Sequence, residues 1–319
     1  MGSALAMQKQ EVASRAALDA RRSKRRKNIE VNLMLLPAIA LLFVFNYVPM
    51  YGVILAFKDF NLFDGIINSP WAGLKNFEAF FTDAKFWQVL KNTVYINLCD
   101  ILFGFTAPII FALLLNEIRA IRFKKTVQII SYMPNFLSWV VVSGLVITML
   151  SPDQNGLVNK VLGWFGIKPI FFMSEPDYFV PIIVVADIWK SIGFSSIVYV
   201  AALTGIDDTL YEAATIDGAG RMRCAWHVTI PGIMPMVMLM LIFRVANIFS
   251  IGFDRIFLLQ NSLNREAGEV ISTYVYSLGI EKAMYSRTTA IGLVQSVLGL
   301  VLVYSANTLS RKVSGYGIY

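Results

Sequence analysis

Long apolar runs alternate with short polar segments along almost the whole chain. A membrane-spanning helix needs about 20 mostly apolar residues to cross about 30 Å of hydrocarbon. The runs that reach this length are Leu33–Phe57, Thr93–Leu115, Val127–Leu150, Phe179–Leu203, Gly232–Gly252 and Thr288–Leu309. The pattern therefore predicts an all-α polytopic membrane protein with six transmembrane helices.

The composition leaves little room for a second, soluble unit. Hydrophobic residues make up 56% of the 319 positions and charged residues 15%, whereas about a quarter of the residues of a typical soluble domain are charged. We expect one six-span domain over residues 33–309, with tails at residues 1–32 and 310–319.

Basic residues predict the orientation of the spans. They cluster at residues 21–27, in the loop at residues 116–125 and at Arg311 and Lys312. Loops rich in Lys and Arg stay in the cytoplasm, so we predict that both termini and residues 206–231 are cytoplasmic. Most of the net charge of +7 lies in residues 1–28. A basic tail before a span is typical of a topology anchor that meets anionic lipid, and it gives no support for a nucleic-acid partner.

A partly polar hairpin at residues 206–231 separates the fourth and fifth apolar runs. Its first half contains good helix formers, followed by Gly218, which can adopt the left-handed conformation that ends a helix. Arg221 to Thr229 can form a second helix, which we expect Pro231 to break. A compact helical hairpin at the membrane surface suits docking against another protein better than chemistry.

The spacing within the hairpin resembles a family signature. Glu212-Ala213-Ala214 is followed after three residues by Gly218, and after nine more by Val228-Thr229-Ile230-Pro231. This resembles the EAA, three residues, Gly, nine residues, Ile-x-Leu-Pro pattern of permease subunits of bacterial ATP-driven, binding-protein-dependent importers. The family's Ile and Leu positions carry the conservative replacements Val228 and Ile230.

The resemblance implies a fold, a location and partners. It implies the fold of type I ABC importer permeases in the bacterial cytoplasmic (inner) membrane, with the hairpin inserted into a groove of a cytoplasmic ATPase. The implied partners are a second homologous permease in a heterodimer, two ATPase subunits that carry ATP and Mg²⁺, and an external solute-binding protein. The residues that the resemblance assigns to the ATPase contact are Tyr211, Glu212, Ala213, Ala214, Asp217, Gly218, Ala219 and Pro231.

Other segments resemble the carbohydrate branch of that family. Pro49–Phe60, Trp71–Phe81 and Phe86–Thr93 are similar to the first-span exit and outer loop of oligosaccharide permeases. The ending Ser310–Tyr319 is similar to the tails of a subgroup that imports complex polysaccharide fragments, in which the chain most resembles alginate importer permeases. The resemblance thus implies import of oligosaccharide or polysaccharide fragments.

Polar residues inside the apolar runs are candidates for a transport path, because they are costly in a membrane and need partners. Asp187 and Lys190 are spaced so that they can face each other on a helix, and they form either a structural ion pair or part of the path. Arg244 and Asn247 have no acidic neighbour in their own run, which favours a cavity-lining position. Asp100 suits an interhelical contact better than a substrate contact.

The sequence offers no catalytic or nucleotide-binding constellation. It contains no G-x-x-x-x-G-K-[ST] phosphate loop, so we expect no cofactor on this chain and no ATPase activity of its own. His227 is the only histidine, and we expect no metal site. Cys99 and Cys224 fall in the second run and in the hairpin, too far apart in the predicted fold for a disulfide.

Two other classes of membrane protein remain alternatives. A secondary transporter of a small polar solute, driven by an ion gradient, would need inverted repeats and interrupted spans that bind ions. A membrane-embedded enzyme would need a paired acid and base or a metal site. Neither feature is clear in the sequence.

Overall fold

The computed structural model describes residues 32–153, 156–249, 252–315 and 317, and these ranges are helical almost throughout. Within them there is no β-strand, apart from one antiparallel bridge between Lys58 and Trp71. The predicted basic tail lies outside the described residues except for Asn32.

Long apolar helices confirm the predicted polytopic architecture. We name them spans 1 to 6 in chain order; span 3 consists of two helices, and the other five spans are continuous helices. Their bounds are Asn32–Phe57 (span 1), Ala84–Glu117 (span 2), Ile121–Phe136 with Trp139–Leu150 (span 3), Pro176–Leu203 (span 4), Arg221–Ala246 (span 5) and Tyr285–Ser314 (span 6).

Span 3 is bent, which corrects the expectation of one uninterrupted helix over Val127–Leu150. Its two halves meet at 101°. Pro134 weakens the end of the first half because it has no N–H to donate. Leu137 and Ser138 are extended, and the Ser138 hydroxyl caps the second half by accepting a hydrogen bond from the Val141 N–H at 3.4 Å.

Three spans contain a π-helical turn shortly before a proline. The turns are Phe43–Tyr47 before Pro49, Asp100–Phe105 before Pro108 and Ala225–Thr229 before Pro231. A proline ring collides with the carbonyl four residues earlier, and in each case that carbonyl lies within the π-turn. The extra residue of a π-turn changes the course of the backbone there. The expectation that Pro231 ends the second hairpin helix is therefore wrong, because span 5 continues through it to Ala246.

The segments between the spans form further short helices. Their bounds are Gly65–Asn68, Lys75–Phe81, Leu157–Trp164, Asp208–Ile216, Phe253–Leu259, Arg265–Gly268 and Ile271–Tyr276, the last continuing as a π-turn over Ser277–Glu281. Phe80, Phe86, Ile271 and Tyr274 are buried together with Ile291 of span 6. This apolar core attaches the connecting segments to spans 2 and 6.

The spans approach closely where small residues allow it. Gly193 of span 4 lies against Ser131 of span 3, where a Cβ atom on Gly193 would come within 2.1 Å of the Ser131 carbonyl oxygen. Only glycine permits this backbone contact. It fixes the first half of the bent span 3 against span 4.

Candidate functional site

The first helix of the hairpin has well-defined ends. It begins after Asp207, whose carboxylate accepts a hydrogen bond from the Thr209 N–H at 3.0 Å, and this bond holds the pKa of Asp207 below its ordinary value of 3.8. It ends at Gly218, which has a φ of +75°. The Gly218 N–H donates to the Thr215 carbonyl at 3.0 Å, and the Ala219 N–H donates to the Ala214 carbonyl at 2.9 Å. This is the Schellman arrangement that closes a helix, so the predicted glycine turn is confirmed.

The two hairpin helices are joined to each other and to the membrane bundle. The Tyr211 hydroxyl and the Thr229 hydroxyl are 3.1 Å apart and share a hydrogen bond. Ile206 rests on Gly232, where a Cβ atom would lie 2.8 Å from the Ile206 Cδ1 atom. Because the second hairpin helix is the beginning of span 5, the hairpin and span 5 are one mechanical unit.

The hairpin also presents an exposed surface of mixed character. Glu212, Ala213 and Asp217 are exposed, as an interface requires. The apolar part of this surface was not predicted: the exposed fractions are 86% for Ile216 and 61% for Trp226. On a segment predicted to lie outside the membrane, exposed apolar side chains suit contact with another protein better than contact with lipid. Their occurrence on a segment predicted to lie outside the membrane was the available signal.

A second candidate site is a cluster of four charged side chains, which we call the ion cluster; Asp100 and Arg255 are buried in it, and Asp187 and Arg244 are partly buried. Asp100 comes from span 2, Asp187 from span 4, Arg244 from span 5 and Arg255 from the helix Phe253–Leu259. Asp100 is the first residue of the π-turn in span 2, and π-turns occur frequently at functional sites. The two carboxylates and the two guanidinium groups balance in charge, as burial requires.

The two arginines hold the carboxylates differently. Arg255 is 2% exposed; it donates hydrogen bonds to both Asp100 oxygens and lies 3.1 Å from Asp187 Oδ2. Arg244 Nη2 lies 3.5 Å from Asp100 Oδ2 and 3.8 Å from Asp187 Oδ2. The Arg244 Nε and Nη2 atoms are buried and have no hydrogen-bond partner. Arg255 thus binds tightly, whereas Arg244 is held by charge alone.

The structure corrects the suggested ion pair between Asp187 and Lys190. Asp187 pairs with the arginines of the ion cluster, and Lys190 turns to the bend of span 3. There the Lys190 ammonium donates to the Asn135 carbonyl at 2.8 Å and lies 5.7 Å from the centre of the Trp139 ring. Lys190 therefore bridges the two halves of span 3.

The structure places the other predicted path residues in different surroundings. Arg244 contacts Asp100 and Asp187, which belong to spans 2 and 4. Because both acidic partners lie outside span 5, the sequence of span 5 alone did not indicate them. Asn247 is exposed and donates to the Phe243 carbonyl of its own helix at 2.9 Å. Asp100 is an interhelical partner, as expected. Arg255 was missed because it lies in a connecting segment; an arginine inside the short apolar stretch Phe253–Leu259 was the signal.

A family model described as "Binding-protein-dependent transport system inner membrane component" matches residues 104–315, a range that includes the hairpin and most of the ion cluster. YteP, a polygalacturonan/rhamnogalacturonan transport system permease protein of Bacillus subtilis (strain 168), is 42% identical over 287 residues, covering 90% of this chain and 89% of that protein. Protein LplB of the same strain is 39% identical over 287 residues, covering 90% of both.

Two solved structures contain similar chains. A crystal structure of a bacterial ABC transporter involved in the import of the acidic polysaccharide alginate matches with a TM-score of 0.84 and 39% identity, over 91% of this chain and 97% of that chain. A bacterial alginate ABC transporter in complex with alginate pentasaccharide-bound periplasmic protein matches with a TM-score of 0.85 and 38% identity, over 92% and 98%.

Proposed function

The chain belongs to the family of binding-protein-dependent transport system inner membrane components, and on that premise we propose that it is the permease subunit of an ATP-driven carbohydrate importer. The cargo consists of oligosaccharide or polysaccharide fragments. The protein is a multi-pass component of the bacterial inner membrane, and the long apolar helices agree with that location.

We propose fragments of acidic polysaccharides as the substrate class, with alginate among them. The similar chains come from importers named for polygalacturonan and for alginate. The proposed path-lining residues are Asp187, Lys190, Arg244 and Asn247. Uptake competed by uronate oligosaccharides but not by neutral ones of equal length would support this class, and the reverse would contradict it.

The observation that carries the importer function is the continuity of the hairpin with span 5. In the proposed complex, this chain pairs with a second permease, and an external binding protein delivers the substrate. Two ATPase subunits bind ATP with Mg²⁺ and move the cytoplasmic hairpin. A displaced hairpin must displace span 5, because Arg221–Ala246 is one helix.

Copurification tests the proposed assembly. We expect this chain, extracted in mild detergent from cells that express its operon, to bring an ATPase subunit and a second permease in stoichiometric amounts. The purified complex should hydrolyse ATP. A chain that purifies alone and still transports in vesicles without an ATPase would instead support the ion-gradient-driven secondary transporter.

A substitution on the exposed apolar surface tests the docking role of the hairpin. Ile216→Asp places a charge where an apolar side chain would meet the ATPase, so we expect less ATPase subunit to copurify. The matched control is Phe63→Asp, since Phe63 is 98% exposed and lies in the segment between spans 1 and 2. Equal ATPase recovery from both variants would contradict docking through Ile216.

A further inference from the structure

Span 5 and the next helix each carry an arginine of the ion cluster. Span 5 ends at Ala246, and the next helix, which we call the outer helix, is Phe253–Leu259. Arg244 lies in the last turn of span 5, and Arg255 lies in the first turn of the outer helix. Both reach the same two carboxylates, those of Asp100 and Asp187. The ion cluster therefore links span 5 to the outer helix.

The geometry around Arg255 fixes the outer helix in place. Gly252 has a φ of +91°, and a Cβ atom there would lie 2.7 Å from the Arg255 Nε atom. Glycine at this position therefore permits both the backbone conformation and the space that the guanidinium fills. Ile256 and Leu259 of the outer helix are buried against Ile183 and other apolar residues of span 4. The outer helix is thus anchored by packing and by charge.

Arg244 is the member of the cluster that can leave most easily. Its contacts at 3.5 and 3.8 Å are longer than hydrogen bonds, and its side chain is 27% exposed, against 2% for Arg255. Two of its buried nitrogen atoms, Nε and Nη2, have no hydrogen-bond partner, whereas Arg255 lacks one only at Nε, so Arg244 loses fewer hydrogen bonds than Arg255 when it moves. When Arg244 moves away, Arg255 still neutralises Asp100 and contacts Asp187.

The position of Arg244 on span 5 connects the cluster to the hairpin. At 1.5 Å per residue, Arg244 lies about 35 Å along the same helix from Arg221. The π-turn at Ala225–Thr229 and the prolines that follow it bend span 5 without interrupting it, so a displacement of the hairpin is transmitted along the helix to Arg244. Movement of the hairpin therefore changes the distance from Arg244 to Asp100 and Asp187.

We propose that the ion cluster is a mechanical joint between the hairpin and the outer helix. Arg255 holds the outer helix on Asp100 and Asp187, and Arg244 is the releasable contact that passes movement of span 5 to those carboxylates. This role rests on the proposed function, in which an ATPase moves the hairpin. Arg244 and Arg255 are then positioning residues, and the joint has two discrete arrangements, with Arg244 engaged or withdrawn.

A spin label on the outer helix tests the joint in the assembled complex. Asp254 is exposed and takes a nitroxide as Asp254→Cys, after Cys99 and Cys224 are replaced by Ser. Adding ATP and vanadate to the otherwise wild-type complex should change the mobility of this label. The double variant Asp187→Asn/Arg244→Met cuts the link to span 5 but leaves Asp100 and Arg255 as a neutral pair. We expect the label in this double variant to lose most of its ATP-dependent change in mobility, because span 5 no longer contacts the carboxylates that hold the outer helix.

Controls separate the joint from general destabilisation. Asp59→Asn/Lys75→Met removes an exposed ion pair of 3.3 Å and should leave the label response at the wild-type size. Arg244→Lys keeps the charge balance and replaces the double variant in the experiment if the double variant does not assemble. The ATP-dependent change of the label in Arg244→Lys should also be smaller than in the wild type.

Two outcomes would overturn the joint. One is a label that does not respond in an unmodified complex that hydrolyses ATP, and the other is a response of wild-type size in the Arg244 variants. A complex without ATPase would contradict the proposed function instead.

Discussion

The two ends of span 5 lie in opposite environments. At the hairpin end, the side chains of Arg221 and Arg223 are exposed, as are those of Glu212 and Asp217 on the neighbouring helix. At the other end, Arg244 meets two carboxylates, of which Asp100 is fully buried. Exposed charges are hydrated and contribute little to stability, whereas buried charges must be matched. The same residue types therefore serve recognition at one end and structural constraint at the other.

The shape of each end depends on a different physical quantity. The hairpin depends on backbone conformation, because its turn requires a residue at a φ of +75° and its helix ends on backbone hydrogen bonds. The ion cluster depends on charge balance, because its groups come from four separate helices. Substitutions that change charge should therefore act strongly at the cluster and weakly at the hairpin.

The largest effect is expected from Arg255→Met. This change leaves Asp100 and Asp187 with only the loosely held Arg244, and removing one partner of a buried ion pair costs about 3–5 kcal/mol. We expect a lower unfolding temperature and a lower yield of monodisperse protein in detergent. Thermal unfolding followed by intrinsic fluorescence measures the first, and size-exclusion chromatography the second.

Two further variants sharpen this prediction. Arg223→Met removes an exposed arginine of the hairpin and should change stability by no more than about 0.5 kcal/mol, as is usual at surfaces. Asp100→Asn/Arg255→Met restores charge balance, with Asp187 and Arg244 remaining, and should recover part of the loss. If the Arg255→Met and Arg223→Met proteins unfold at the same temperature, the claim that charge matters for stability at the ion cluster but not at the hairpin is wrong.

A smaller effect is expected from Gly218→Ala in the hairpin. No atom lies within 4 Å of the position that a Cβ would occupy, so the only cost is the left-handed backbone, about 1–2 kcal/mol for an L-residue. We expect faster amide exchange in residues 208–219 and no change in the ion cluster. Gly218→Asn is the matched control, because asparagine tolerates this conformation better. Equal exchange rates in the glycine and alanine proteins would show that the turn has relaxed.

The sequence predicted the parts of the fold that depend on local pattern. The apolar runs, the hairpin and its glycine turn are each encoded within a short stretch, and the structure has them at the predicted places. The role of Pro231 was mispredicted because a proline normally ends a helix, and the π-turn that accommodates it has no comparably strong sequence signal. The bend of span 3 depends on Leu137 and Ser138, which lie inside an apparently continuous apolar run.

The ion cluster could not be predicted from local sequence patterns. Arg255 and Asp100 are 155 positions apart in the chain, so no periodicity connects them. The spacing of Asp187 and Lys190 favours an ion pair on an isolated helix, but the tertiary contacts with Arg255 and the Asn135 carbonyl prevail. The sequence of each span shows which charged residues it contains, but it does not show which charged residues of other helices they contact.

The smallest expected effect is the pH dependence of the hairpin through Asp207, whose pKa is depressed by the hydrogen bond from the Thr209 N–H. A depressed pKa stabilises the fold above the unfolded pKa, near 3.8; this stability is lost as the pH falls through the lower folded value.

Asparagine caps a helix equally well but does not titrate. The ratio of amide exchange rates of Asp207→Asn to wild type in residues 208–216 should therefore fall between about pH 6 and about pH 3. Taking this ratio at each pH cancels the intrinsic pH dependence of exchange, and Asp207→Ala, which has no cap, should exchange faster throughout. A constant ratio would mean that the charge of Asp207 does not stabilise the helix, and that the hairpin, unlike the ion cluster, is shaped by its backbone alone.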